Sequence, residues 1–385
     1  MRCRPRGAHH HSLYHGGPPA ACAVCRITER KRCAVETVEL LQTLCDAFGP
    51  SGFEEEVAET LQRLIAPYVD EMRVDALGNL IAIRRGTGDT TLMLDAHTDE
   101  IGFIISYIEE NGFLRFTQTS GWDARIVPSH ALTIRSDHGT FVKGYIGTPP
   151  PHILRPEDRD KPYKLEDLFV DIGVDSAEAV AALGVRVGSP AVIAYPFEQL
   201  NEQVVMARAI DDRAGCAVIV KTLEALAGQE LEATVVACFS VQEEVGLRGA
   251  TTAAYQIEPD IALVLETTVA ADYPGIEPQR RPTRFGHGPA VVVMDNSMIT
   301  RGATVRAITE LADEHLVPWQ YRIPYGGGTN AGAIHRSRGG VQTGVVSIPV
   351  RYFHSPYALM RLDDFENTVR LVTEFTRHCP GLARR

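Results

Sequence analysis

From Val35 onward, short apolar runs of strand length alternate with stretches patterned as helices, and this alternation limits the possible folds more than any other feature. The runs are "TLMLDAH" (91–97), "ATVVACFSV" (233–241), "IALVLET" (261–267) and "GVVSIPVRYFH" (344–354). Between several of them lie helix-like stretches such as "AGCAVIVKTLEALAG" (214–228) and "RGATVRAITELADEH" (301–315). Nearly continuous apolar runs belong to strands buried on both faces, and intervening helices supply the cover. The pattern predicts an α/β fold with a mixed, largely parallel sheet covered by helices. Two helices should precede the sheet. Val38, Leu41, Leu44, Cys45 and Phe48 recur at helical spacing up to the breaker "GPSG", and "FEEEVAETLQRLIAPYV" (53–69) places acidic residues in a first turn, where the helix dipole favours them. "EMRVDALGNLIAIRR" (71–85) then reads as two short strands around a Gly-Asn turn.

The rhythm changes between residues 110 and 200. Close-spaced β-type runs, many turn residues and no long helix predict a small β-rich domain inserted into the α/β unit, which would occupy 35–109 and 201–385. Within the insert, "PPPHILRPEDRDKPYKLEDLFVD" (149–171) is a polar, proline-bearing loop of a length that suits a functional or contact role. Residues 1–34 mix Arg, His, Gly and Pro without periodicity. They read as a disordered tail or as sequence upstream of a true start near Val35, the latter being the reading adopted. Cys22 and Cys25 near His9, His10, His11 and His15 form one CxxC with no second pair, which is weak support for zinc.

The chain has 385 residues, 44% of them hydrophobic, enough for a sizeable core. A formal net charge of -11 and the lack of a clustered basic face exclude a nucleic-acid or anionic-membrane partner. No run reaches the roughly 20 apolar residues that span a bilayer. Eight cysteines are too sparse for a disulfide scaffold, and Cys45, Cys216 and Cys238 sit in apolar contexts that suit buried thiols, so a reducing cytoplasm is expected.

The chemistry collects where the apolar runs end. His97 and Asp99 close one run, Asp211 and Asp212 precede a helix, Glu243 and Glu244 follow "ATVVACFSV", Glu266 ends "IALVLET", and His354 ends "VRYFH". Five segments thus deliver histidine or carboxylate to the carboxyl edge, where open α/β sheets place their ligands. Taken singly, each is more often a helix cap or a solvated face. Together they would be costly to desolvate unless a cation compensates them, and a metal site is the economical explanation. If the strand's extended geometry persists, the adjacent Glu243 and Glu244 project to different sides, leaving one free beside a coordinated neighbour.

In these residues the chain resembles the tetrahedral aminopeptidases, which include glutamyl and deblocking aminopeptidases and proteins once labelled cellulase M. The matching pieces are "AHTDEIG" (96–102), "GYIGTPPPH" (144–152), "EDLFVDIG" (166–173), "AIDDRAGC" (209–216), "SVQEEVGLRGA" (240–250), "LETTVAAD" (265–272), "GGGTNAGAIH" (326–335) and "YFHSPYA" (352–358). They occur in order across residues 36 to about 375. The resemblance implies that His97, Asp211 and Glu266 hold one metal, that Asp211, Glu244 and His354 hold another, and that Asp99 accepts the free ring N–H of His97. It assigns Glu243 the transfer of a proton from the attacking water to the leaving amine. Two divalent ions per subunit are implied. Nitrogen and oxygen ligands without thiolate suit zinc or cobalt first and manganese as well. Asn330 departs from the family, where an acidic residue is expected, and bears on a contact around the site rather than on the metals. The resemblance further implies short-peptide substrates, dimer contacts through the insert, and a twelve-subunit tetrahedral shell. A glycoside hydrolase would leave His97, Asp211 and His354 without a role, and a non-catalytic assembly protein predicts a missing ligand or base, whereas all are present.

Overall fold

The computed structural model describes residues 36–159 and 161–383. The expectations for the tail, residues 1–34 with Cys22 and Cys25, lie outside the described residues.

An eleven-stranded mixed sheet forms the larger layer. At its centre the strands Thr234–Ser240, Thr91–His97, Ile261–Val269 and Gln342–Arg351 lie side by side in that order, all parallel. The flanks are antiparallel. Leu80–Arg84 and Glu71–Val74 extend one side, the latter pair joined at the expected Gly-Asn turn, and Ala358–Arg361, Val204–Ala207 and Glu198–Asn201 extend the other. Alternate residues of the central strands enter two separate apolar clusters. Leu92, Leu94, Val235 and Leu263 belong to one, and Met93, Val236, Cys238 and Val264 to the other, as the two-residue period of a strand requires.

Helices cover both faces. Ile210–Ala225 is buried along almost its whole length because it lies against the sheet while Thr37–Asp46 and Leu362–Ala383 pack outside it. Leu362–Ala383, which the apolar runs of the sequence did not single out, inserts Phe365, Val372, Phe375 and Cys379 into the same cluster. The other face is closed by Arg248–Ile257 and Ala331–Ile334, whose Ala250, Ala253, Ala254 and Ile334 are fully buried.

The insert is a closed six-stranded barrel, in the order Phe103–Ile108, Leu114–Gln118, Phe169–Asp171, Phe141–Gly147, Ala131–Arg135, Pro190–Ile193. Its own core centres on Phe103, which stacks on Trp122 at 5.0 Å and meets Phe116 edge-on at 5.1 Å. The strand Phe103–Ile108 thus joins the barrel ahead of residue 110, and Glu198–Asn201 pairs in the open sheet. The polar loop 149–171 contains two 3-10 turns, Pro156–Asp158 and Leu165–Asp167, before its last strand. Among the described residues, Cys45, Cys216, Cys238 and Cys379 are buried free thiols, and no helix is long and apolar enough to cross a membrane.

Candidate metal centre at the carboxyl edge of the sheet

Strand register brings the first residues together. Ser240 pairs with His97 and Val264 with Asp95, so two residues further along, Glu266 stands level with His97 and on the same face. Glu266 is the sixth residue of its strand rather than the last, because pairing with Gln342–Arg351 continues to Val269. Asp211 arrives from the connection between Val204–Ala207 and the long helix, where Ala209 is left-handed (φ 54°) and Asp211 and Asp212 keep non-helical angles. His354 also stands beyond its strand. Pairing stops at Arg351, and left-handed Tyr352 (φ 62°) and His354 (φ 49°) turn the chain so that the imidazole stacks on Phe353 and faces the sheet edge.

Two ligand groups result. The donor atoms of His97, Asp211 and Glu266 lie within 4.8 Å of one another, as do those of Asp211, Glu244 and His354. Asp211 belongs to both, and each of its oxygens faces a different ring: Oδ1 is 3.4 Å from His97 Nε2 and Oδ2 is 3.3 Å from His354 Nε2. Glu266 Oε1 is 3.6 Å from His97 Nε2, and Glu244 Oε1 is 3.2 Å from His354 Nε2. A cavity of about 480 Å³ opens over both groups and is walled further by Arg322, Tyr325, Gly326 to Thr329 and Phe353.

Adjacent Glu243 and Glu244 do not diverge as an extended strand would make them. The strand ends at Ser240, Gln242 is left-handed (φ 55°), and a turn follows. The carboxylate of Asp99 organises that turn, accepting the N–H of Glu243 at 2.9 Å and of Glu244 at 3.2 Å, with the Ser51 hydroxyl at 2.6 Å. Glu54, buried below, accepts Gln242 N–H at 3.1 Å. The glycines of "EEVGLRG" answer to this geometry. Gly246 has φ 122°, and a Cβ on Gly249 would stand 2.3 Å from Val241 O. His97 Nδ1 is 3.0 Å from the backbone carbonyl of Asp99 and 3.4 Å from its carboxylate, so the carbonyl is the nearer acceptor for the ring N–H expected to reach the side chain.

The electrostatics are those of a crowded acidic site. Burial pushes Glu266 up to about 8, with His97 opposing and Asp211 adding to the rise. Burial also pushes Glu243 well above the carboxylate range; His97 pulls it down, and Glu266, Glu244 and Asp99 push it further up. For His354, burial would lower the ring, but the Asp211 and Glu244 carboxylates beside it outweigh burial and lift it to about 11. Glu244 Oε1 is buried with no hydrogen-bond partner. An orphaned carboxylate oxygen beside His354 and Asp211, with His97 and Glu266 on the other side of the shared Asp211 group, is what divalent cations with nitrogen and oxygen ligands would satisfy, so the residues present fit such ions.

Several contributors had no signal in the sequence. Thr267 donates its hydroxyl to Asp211 Oδ1 at 2.9 Å, and Ser120, from the barrel, donates to Glu244 Oε2 at 2.7 Å. Arg213, fully buried, donates to the carbonyls of Thr98, Leu44, Ala47 and Gly49, tying the first helix to the strand end. Asn330 donates its amide to Asp95 Oδ2 at 2.9 Å and to Ser240 Oγ at 2.8 Å, beneath the site and away from the ligand atoms.

A parallel-centred sheet with this donor set at its carboxyl edge suits a hydrolase, and the comparisons give the class as peptidase. Residues 78–371 match the model of the M42 glutamyl aminopeptidases, and the chain belongs to that family; it is an aminopeptidase, a peptide hydrolase. It is 35% identical to the putative aminopeptidase FrvX of Escherichia coli K12 over 88% of this chain and 94% of that one. The TET aminopeptidase of the marine sediment archaeon Thaumarchaeota archaeon SCGC AB-539-E09 superposes with a TM-score of 0.88 at 40% identity, covering 90% of this chain and 98% of its own. Pyrococcus horikoshii TET1 peptidase, said to assemble into a tetrahedron or a large octahedral shell, superposes with a TM-score of 0.80 at 32% identity, covering 89% and 99%. A glycoside hydrolase is not favoured.

Proposed function

We propose that the chain removes N-terminal residues from short peptides at a two-cation centre, with His97, Asp211 and Glu266 holding one ion and Asp211, Glu244 and His354 the other. The observation that carries this reading is Asp211, whose two oxygens each lie near a different histidine and so link the groups. Two divalent ions there would polarise the scissile carbonyl and acidify a water. Zinc or cobalt suits the donors first, manganese also.

The protein's own residues account for the rest. Glu243 lines the cavity and belongs to neither ligand group, so its carboxylate is free to take a proton from the attacking water and return it to the leaving amine. Asp99 acts through others: its carboxylate holds the backbone of both glutamates, and its carbonyl fixes the orientation of the His97 ring. Homo-oligomers built from dimers, up to a dodecamer, are proposed to form through the barrel. The likeness to a tetrahedral assembly and the exposed Tyr107, Tyr145, Ile153 and Val187 support this. Unpaired buried thiols support a cytoplasmic location.

The test is hydrolysis of aminoacyl chromogenic substrates before and after chelation. Activity should vanish with the metal and return with zinc, cobalt or manganese. Full activity in chelator, with metal absent by elemental analysis, overturns the proposal.

A further inference from the structure

One connection of the barrel does more than close it. Between the strands Leu114–Gln118 and Ala131–Arg135 the chain leaves the barrel and reaches the cavity, where Ser120 forms part of the wall. The Ser120 hydroxyl donates to Glu244 Oε2 at 2.7 Å, across 124 residues of sequence. Beside it, a Cβ built on Gly121 would stand 3.9 Å from His354 Nδ1, so this segment lies against both residues of one ligand group that Asp211 does not supply. The segment is anchored on either side. Thr119 N–H donates to Gly102 O at 2.9 Å and Gly102 N–H to Thr119 Oγ1 at 3.1 Å, while Trp122 is buried against Phe103 in the barrel core.

The two oxygens of Glu244 therefore have different surroundings. Oε2 is held by the hydroxyl, and Oε1 is buried, without a hydrogen-bond partner, 3.2 Å from His354 Nε2. A glutamate has three side-chain torsions to settle, and its backbone N–H bond to Asp99 fixes none of them. We propose that Ser120 is a positioning residue that holds the Glu244 carboxylate with Oε1 directed at the His354 site, so that the barrel sets cation affinity at that site and leaves the His97–Glu266 site alone. Partners that orient a ligand in this way typically change metal affinity by about 10–100-fold when removed. The inference rests on the two-cation reading.

The experiment measures metal release rather than turnover. Full-length protein loaded with zinc is titrated with a chromogenic chelator, and the affinities of its two equivalents are extracted for the parent, Ser120→Ala, Ser120→Thr and His354→Ala. In Ser120→Ala one equivalent should bind at least about tenfold more weakly while the other is unchanged, and Ser120→Thr, which restores the hydroxyl, should recover most of the difference. Parent-like affinities in Ser120→Ala overturn the inference, as does equal weakening of both equivalents or a Ser120→Thr as impaired as the alanine. His354→Ala separates the two levels: if it keeps both equivalents at parental affinity, the two-cation reading itself is wrong, whatever Ser120 does.

Discussion

Between Phe103 and Ile193 no Asp, Glu, Lys, Arg or His side chain is buried among the described residues, whereas the open sheet buries Asp95, His97, Asp99, Asp212, Arg213 and Glu266 around a single edge. Both regions are β-structures with apolar cores, so the difference lies in their edges. The barrel closes on itself, leaving no strand end that needs a ligand, and its interior is filled by side chains such as Phe103, Leu132, Ile146 and Val170. The parallel strands must end somewhere, and their carboxyl ends hold charge that burial alone would penalise. Reactivity is thus confined to the open sheet, and the barrel is free to present a surface and, through Ser120, to steady the site from outside.

The sharpest way to break that division is at the paired glutamates. Glu243→Gln keeps the volume and removes only the ability to take a proton, so kcat should fall by at least about 10²–10⁴-fold with both metal equivalents retained. Glu244→Gln should instead shed metal and recover in part with excess metal ion. If Glu243→Gln loses metal while Glu244→Gln stays loaded, the roles are reversed. His97→Ala and His354→Ala should each lose one equivalent, from different groups, and unchanged metal content by elemental analysis would refute the ligand assignment.

How much of this was legible depends on which force fixes each residue. His97, Asp211, Glu243, Glu244, Glu266 and His354 could be read from the chain because ionisable groups at the ends of apolar runs conflict with burial, and that conflict is local in sequence. The reason for the divergence of Glu243 and Glu244 was not legible. It depends on left-handed Gln242 and on an Asp99 carboxylate that only strand pairing brings beneath the turn. Ser120 was less legible still, since "TSGWD" shows nothing but turn residues until the barrel folds and carries it 124 positions to Glu244. The four central strands were readable from apolar runs, but the helix Leu362–Ala383 was not, because its buried Phe365, Val372, Phe375 and Cys379 are diluted by charged residues on its other faces.

On the barrel side the expected effect is on assembly alone. Ile153, 74% exposed in the proline-bearing loop, touches neither the barrel core nor the cavity. Ile153→Asp should shift the protein toward smaller species in light scattering while its thermal midpoint moves by no more than a few degrees, since surface changes rarely exceed about 0.5 kcal/mol. An unchanged mass would place the contact surface elsewhere.

The least dramatic expectation concerns charge buried in the open-sheet unit but outside the candidate centre. Asp364, 1% exposed, accepts Gly286 N–H at 2.7 Å on one oxygen and Gly288 N–H at 2.6 Å on the other. Burial lifts its carboxyl to about 6, and those two N–H groups only partly offset the rise. An acid raised on folding binds its proton more tightly in the native state, so its contribution to stability is fully present below the unfolded value near 3.9 and is lost as pH rises through about 6. Asp364→Asn cannot titrate. The variant's stability deficit relative to the parent should therefore be largest near pH 4 and shrink by about 2–3 kcal/mol by pH 7; differencing the two proteins cancels groups remote from the substitution. Denaturant titrations across that range read the change directly. A deficit that grows with pH would mean that the two N–H bonds outweigh burial and that the carboxylate is charged in the fold. The barrel, in which no carboxyl is buried among the described residues, offers no described position at which the same curve should appear.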